Sequence, residues 1–123
     1  MNNMRFGKFI AEKRKAKGIT LRGMAADLDI TPAYLSDIEK SRRNPPDINM
    51  LEKIAARLSL TQKEKEIMFD LAGKDRNEIS PDLPEYIMQK PIVTVALRKA
   101  REKATDDDWA EFIKRLDKKQ TRD

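Results

Sequence analysis

Residues 19–39 read ITLRGMAADLDITPAYLSDIE and carry two short helical patterns that are separated by only two residues. Thr20 and Thr31 precede the two patterns, and a hydroxyl at that place accepts a hydrogen bond from a backbone amide that has no partner within its helix. So short a joint needs a small residue where the helices cross, which Ala25 provides, and a residue that tolerates left-handed geometry, which Asp29 provides. The stretch therefore predicts two helices joined by a sharp turn.

Helical patterns flank this pair on both sides. Apolar residues recur at helical spacing in residues 5–16, 48–58 and 61–71. Gly18 suits the end of the first of these helices, and Pro45-Pro46 interrupt the chain because proline has no amide hydrogen to donate. No segment alternates apolar and polar residues, so we expect no sheet. The sequence predicts an all-α fold with five short helices before residue 73.

The chain divides into two parts according to its polarity. Residues 74–80 are polar and lack apolar periodicity, which indicates a boundary, so we predict one domain over residues 1–76 and a helical C-terminal segment over residues 77–123. The C-terminal segment carries two apolar stripes that so short an appendage cannot bury within itself. The stripes either pair with a second copy of the chain, bind another protein or fold back onto the first domain.

Composition excludes most chemistry. The 123 residues suffice for one domain and a small appendage, and they include no Cys and no His. The commonest nucleophile, general base and metal ligands are therefore missing, and we expect no enzyme, no cofactor and no metal. No apolar stretch approaches about 18 residues and residues 1–9 lack the pattern of a signal peptide, so we expect a cytoplasmic protein with no membrane partner.

Positive charge is concentrated in the first part of the chain. The net charge is +5, and all of this excess falls within residues 1–76. Basic clusters occur at residues 13–17 and at Arg42-Arg43. Such clustering is typical of a protein that binds a polyanion, although a solvated helix face gives the same pattern.

The helical pair resembles a known family. Met24-Ala25, residues 34–39 and Arg43-Asn44-Pro45 resemble the lambda-repressor-like (Cro/Xre) family of helix-turn-helix regulators, and the resemblance covers residues 6–72. It implies a five-helix DNA-binding domain, and a sequence-specific transcriptional regulator that binds double-stranded DNA as a homodimer and represses its own or a neighbouring promoter. In such a domain the second helix of the pair lies in the major groove.

The resemblance also assigns roles to individual residues. The residues that it places against base edges are Pro32, Ala33, Tyr34 and Asp37, and those that it places near phosphates are Thr31, Ser36, Arg42, Arg43 and Asn44. Leu21 stands where the family often has Gln, so we expect Arg22 or Lys17 to supply the phosphate contact that Leu21 cannot make. Ser41 stands where Gly commonly follows the third helix. Asp37 either accepts a hydrogen bond from a cytosine amine or is a solvated helix residue, and Glu39 is expected to pair with a basic side chain.

The C-terminal segment leaves a second function open. An antitoxin-type interaction protein would use these helices to bind a partner, such as a toxin or a metallopeptidase, while the first domain binds DNA. We favour dimerisation, because large apolar groups share one face of the last helix. The predicted dimer interface consists of Trp109, Phe112, Ile113 and Leu116.

Overall fold

The computed structural model describes residues 4–121, which form eight helices and, within this range, no strand. The helices are α1 (Phe6–Ala16), α2 (Leu21–Asp27), α3 (Pro32–Glu39), α4 (Ile48–Arg57), α5 (Gln62–Asp75), α6 (Pro84–Gln89), α7 (Pro91–Lys103) and α8 (Asp106–Asp117). The all-α prediction is confirmed. No helix in the described range is both long and apolar enough to cross a membrane.

The helices fall into two compact units, of which the first ends at Pro84 and the second begins at Glu85. The first unit contains α1 to α5, which are the five helices that the sequence predicts before residue 73. The functional division into residues 1–76 and 77–123 stays a prediction.

Side-chain caps begin the helices at the predicted residues. The hydroxyl of Thr20 accepts the amide hydrogen of Gly23 over 2.9 Å, and that of Thr31 accepts the amide hydrogen of Tyr34 over 3.0 Å. Thr61 begins α5 with a reciprocal capping box. Each cap satisfies an amide that the first turn of the helix leaves without a partner, so these helix starts are fixed by local sequence.

The turn between α2 and α3 has the predicted geometry. Asp29 adopts a left-handed conformation with φ of 58°, and the amide of Ile30 donates to the carbonyl oxygen of Ala25 over 3.0 Å. Ala25 is fully buried. The left-handed geometry predicted for Asp29 and the burial predicted for Ala25 are confirmed.

The apolar core lies in the first unit, where α1 packs on α3 and α5, and α2 packs on α3. Its buried residues come from all five helices and from the residues that directly follow α2 and α4. They are Phe6, Phe9, Ile10, Met24, Ala25, Leu28, Leu35, Ile38, Leu51, Ile54, Ala55, Leu58, Met68, Phe69 and Ala72.

α1 holds the C-terminal end of α3 in place. A Cβ atom on Gly7 would lie 2.2 Å from the carbonyl oxygen of Ile38, so only glycine permits this approach. Arg14 donates through Nε and Nη2 to the two carboxylate oxygens of Glu39, over 2.8 and 2.9 Å. It also donates to the carbonyl oxygen of Ile19 over 2.9 Å. The prediction that Glu39 pairs with a basic side chain is confirmed.

The polar residues after α5 form a turn that closes back on that helix. Asn77 is left-handed with φ of 57°, and the amide of Glu78 donates to the carbonyl oxygen of Gly73 over 2.8 Å. Arg76 donates to the carbonyl oxygen of Pro45 over 2.8 Å. α5 therefore extends to Asp75, beyond the last residue of its predicted apolar stripe.

The second unit exposes its apolar residues. No residue of α7 or α8 is buried. Thr105 begins α8 with a capping box, and the rings of Trp109 and Phe112 have centroids 6.3 Å apart. The two predicted stripes therefore exist as helix faces that are partly open to solvent and line one groove within this unit, between α7 residues such as Val93 and Leu97 and α8 residues Trp109 and Phe112.

Candidate nucleic-acid interface

The first turn of α3 is attached to the core on one side and partly accessible on the other. Leu35 and Ile38 are buried and attach the helix to the core. Ala33 is exposed, and Pro32 and Tyr34 are half-buried. The helix is therefore fixed on its inner face while its N-terminal residues remain accessible.

Four of the predicted site residues meet on α3 and just after it. The guanidinium carbon of Arg43 lies 5.1 Å from the centroid of the Tyr34 ring. Arg42 Nη1 lies 3.6 Å from Asp37 Oδ1, and Arg43 Nε lies 4.0 Å from Asp37 Oδ2. We call Tyr34, Asp37, Arg42 and Arg43 the α3 cluster.

The turn after α3 brings the two arginines back toward the helix. Ser41 is left-handed with φ of 62°. Its amide donates to the carbonyl oxygen of Ile38 over 3.1 Å, and the amide of Arg42 donates to the carbonyl oxygen of Asp37 over 2.8 Å. This pair of bonds is the usual helix end in which glycine occupies the left-handed position. Ser41 adopts the same geometry, so the departure from glycine at this position does not alter the path of the chain.

The α3 cluster has the chemistry of a polyanion-binding surface. The side chains of Arg42 and Arg43 are 65% and 60% exposed, and that of Asp37 is 36% exposed. Exposed guanidinium groups bind phosphate oxygens, and a carboxylate accepts a hydrogen bond from an exocyclic amine of a base. Groups that are able to bind a phosphate and a group that is able to accept from a base amine therefore lie side by side.

The remaining residues that are predicted to contact phosphates lie in or near α3, or earlier in the chain. Thr31 caps α3, so its oxygen is already an acceptor and its hydroxyl hydrogen is left for a further acceptor. Asn44 is exposed and Ser36 is half-buried. Lys17 follows α1 and Arg22 lies in the first turn of α2, both exposed and both outside the α3 cluster. Their contacts with DNA stay predictions.

No metal centre competes with this interpretation in the part of the chain that the structure describes. Among residues 4–121, no group of three or more acidic residues lies close enough together to hold an ion. Within the same range, no buried polar side-chain atom is left without a hydrogen-bond partner.

One relation within the site was missed from the sequence. The sequence predicts that Asp37 faces a base or solvent, but in the structure it forms ion pairs with the two arginines that the resemblance places near phosphates. The signal that could have shown this is Ser41, because a left-handed residue after α3 reverses the chain and returns Arg42 and Arg43 to the last turn of the helix.

Comparison with known proteins gives a family match and related sequences. A family model described as helix-turn-helix matches residues 10–62, which run from α1 to the start of α5. The HTH-type transcriptional regulator SinR of Bacillus subtilis (strain 168) is 36% identical over 55 residues, which are 45% of this chain and 50% of that protein. The control protein C.MunI of Mycoplasma sp is 39% identical over 62 residues, which are 50% of this chain and 82% of that protein.

A solved structure named as the SinR protein/SinI protein complex matches with a TM-score of 0.46 and 22% identity, over 91% of this chain and 94% of that one. The chain spans half the length of the SinR protein that it matches, whereas it covers most of C.MunI. The chain has the helices α1 to α5, the left-handed turn at Asp29, the match to the helix-turn-helix family model and the sequence similarity to C.MunI. It belongs to the lambda-repressor-like (Cro/Xre) helix-turn-helix family.

Proposed function

We propose that the protein is a sequence-specific, DNA-binding transcriptional regulator that represses its own or a neighbouring promoter by occupying an operator. The observation that carries this proposal is the accessible first turn of α3 with the exposed side chains of Arg42 and Arg43 beside it. The names of the relatives, a transcriptional regulator and a control protein, also support it. A regulator of this kind acts in the cytoplasm, where it meets the chromosome.

The proposed interface divides its work between bases and backbone. Pro32 and Ala33 can give only apolar contact, for example to a thymine methyl group, whereas Asp37 can accept from a base amine. Arg42 and Arg43, with the other predicted phosphate contacts, would fix the position of α3 in the major groove. We assign no enzymatic step to any of these residues.

We further propose that the regulator is a homodimer. Trp109, Phe112, Ile113 and Leu116 are 39%, 47%, 57% and 48% exposed on α8, which is a large apolar surface for a soluble unit to leave open. Regulators of this architecture bind pseudo-palindromic operators through twofold dimers, with one recognition helix in each half-site. A second copy that covers α8 would supply the second recognition helix.

The same apolar face is also the feature that favours the second candidate, an antitoxin-type protein that binds a toxin or a metallopeptidase through its C-terminal helices. The mass of the purified protein tests whether a second copy covers this face. A dimer by light scattering supports self-association, whereas a monomer that still binds DNA favours a different protein as partner.

Fluorescence anisotropy tests the proposed function. The protein is titrated onto a duplex from the region upstream of its own gene and onto a scrambled duplex of the same composition, across a series of salt concentrations. We expect the upstream duplex to bind at least about 10³-fold more tightly. Equal, weak and steeply salt-dependent binding to both duplexes would contradict a specific autoregulator.

A further inference from the structure

We propose that Asp37 couples base recognition to phosphate binding, in that its carboxylate is shared by Arg42 and Arg43 and offsets part of their charge in the free protein, and exchanges them for a base amine on the operator. This inference rests on the proposed function and concerns the same surface. It makes Asp37 a residue that determines specificity by penalising the wrong sequences rather than only by attracting the right one.

The geometry of the α3 cluster permits such an exchange. Asp37 contacts both arginines, but at 3.6 and 4.0 Å, which is longer than a direct charge-assisted hydrogen bond. All three side chains are open to solvent, where ion pairs of this kind contribute little to stability. The arginines can therefore leave Asp37 for phosphate oxygens at small cost.

Arg43 keeps a second contact when it leaves the carboxylate. Its guanidinium lies 5.1 Å from the ring centroid of Tyr34, which is half-buried and packs against the apolar core. A cation–π contact does not need the Asp37 carboxylate, so the ring holds Arg43 near the DNA backbone during the exchange. The arginine thus changes its anionic partner without losing its place on the helix.

The penalty arises from what happens to Asp37 after the exchange. Once Arg42 and Arg43 have paired with DNA phosphates, the Asp37 carboxylate faces the DNA without a positive neighbour. The negative charge of the DNA backbone then repels it. Cytosine and adenine each present an exocyclic amine in the major groove, and either can donate to the carboxylate. A sequence with such an amine opposite Asp37 restores a partner, and a sequence without one leaves the anion unpaired.

The substitution Asp37→Asn separates this role from simple positioning of the arginines, because it removes the charge and keeps the shape. Its matched control is Asp70→Asn, which removes the same charge from an exposed position on α5. Wild type and both variants are titrated onto a random-sequence duplex pool and onto a duplex that the wild type has selected from that pool. Each titration is repeated over a salt series.

For Asp37→Asn we expect roughly fivefold tighter binding to the random pool than for Asp70→Asn, with the salt slope of the wild type retained. The ratio of selected to random affinity should fall by about tenfold, because the variant no longer penalises wrong bases. Weaker binding to both duplexes with a shallower slope would overturn the inference in favour of positioning alone. Equality of the two variants would also overturn it.

The two levels of proposal fail in different ways. A wild type that binds neither duplex at low salt would remove the proposed function, and this inference with it. If the wild type selects a sequence and Asp37→Asn selects it equally well, only the inference about Asp37 is overturned.

Discussion

Arg14 and Glu39 form an ion pair that is shielded from water, with side chains 9% and 8% exposed. Hydrogen bonding to Glu39 raises the pKa of Arg14 above its already high ordinary value, more than burial lowers it. Arg14 is thus always charged, and it depends on one carboxylate for its counter-charge. Removing one partner of a buried pair costs far more than the pair contributes in net, because the other charge is left buried and unpaired.

Glu39→Gln is therefore expected to lower the free energy of unfolding by about 3 kcal/mol. Urea unfolding followed by circular dichroism measures this. The matched control is Asp27→Asn, whose ion pair with Arg57 has side chains 45% and 38% exposed and should be worth at most about 1 kcal/mol. Equal losses in the two variants would show that burial of the Arg14–Glu39 pair has no energetic consequence.

Single residues differ in how far the sequence predicts them. Asp29 at the turn, Ala25 at the crossing and Glu39 as an ion-pair partner follow from local geometry and residue chemistry. The pairing of Asp37 with Arg42 and Arg43 does not follow in the same way, because it depends on the direction in which the chain leaves α3. That direction is set by a left-handed serine, and few non-glycine residues adopt this conformation.

Contacts between elements position the proposed DNA-binding surface, and one of them is a close approach of α1 to α3. Gly7 lies against the last carbonyl groups of α3, where a methyl group would approach the oxygens of Ile38 and Glu39 to 2.2 and 2.5 Å. These are backbone atoms, so they cannot move aside without moving the helix. The accessible first turn of α3 therefore depends on a glycine in another element.

Gly7→Ala is expected to destabilise the first unit by about 3 kcal/mol, because the added methyl group forces α1 and α3 apart. Gly18→Ala is the control, since nothing lies within 4 Å of its added Cβ but its φ is +68°. Conformational strain alone should cost about 1 kcal/mol there. Urea unfolding compares the two, and a smaller loss at Gly7 than at Gly18 would refute the close helix contact.

α1 and α5 are joined by an ion pair that responds to pH. Lys13 Nζ lies 2.7 Å from Glu64 Oε2, and this hydrogen bond, together with the backbone amide of Thr61, lowers the pKa of Glu64 from 4.5 to about 2. A carboxyl group with a lowered pKa stabilises the folded state above its unfolded pKa. That contribution is present above about pH 4.5 and is lost as the pH falls toward 2.

Glu64→Gln should consequently be less stable than the wild type at pH 6, and the difference should shrink as the pH falls below 4.5. Urea midpoints of both proteins measured between pH 6 and about pH 2.5 test this. A difference that stays constant over the whole range would show that the Glu64 carboxylate does not titrate with a lowered pKa.

Helix starts could be predicted and one helix end could not. Thr20, Thr31 and Thr61 cap their helices through bonds to residues three positions away, so the signal is contained in the sequence. The end of α5 depends on packing against residues 78–80, where the carbonyl oxygens of Glu78 and Ile79 and the Cα of Ser80 would each meet a Cβ on Gly73 at 2.9 Å. Such tertiary packing has no periodic signature, so the apolar pattern ended earlier than the helix.

At the scale of the whole molecule, the apolar face of α8 in the second unit is the surface on which the proposed dimer depends. Each predicted interface residue on α8 is exposed, and a tilted contact links Trp109 with Phe112. Large aromatic groups contribute most of the binding energy in typical interfaces. The proposed dimer therefore depends on these two side chains more than on others of the second unit.

Replacing Trp109 and Phe112 together by Ala should convert a dimer into a monomer of 14.2 kDa in light scattering. Ile79→Ala, which removes an exposed apolar side chain from the first unit, is the control and should leave the mass unchanged. If the double variant keeps the mass of the wild type, the two aromatic groups do not form the dimer interface.

The most direct measurement for the account as a whole is the salt dependence of DNA binding in Arg43→Ala, compared with Arg98→Ala on α7. Arg43 belongs to the α3 cluster, whereas Arg98 is an exposed arginine of the second unit. If the α3 cluster binds the DNA backbone, Arg43→Ala weakens binding to every duplex and reduces the slope of log K against log salt by about 1, and Arg98→Ala leaves that slope unchanged. An unchanged slope in Arg43→Ala would contradict the placement of DNA against α3.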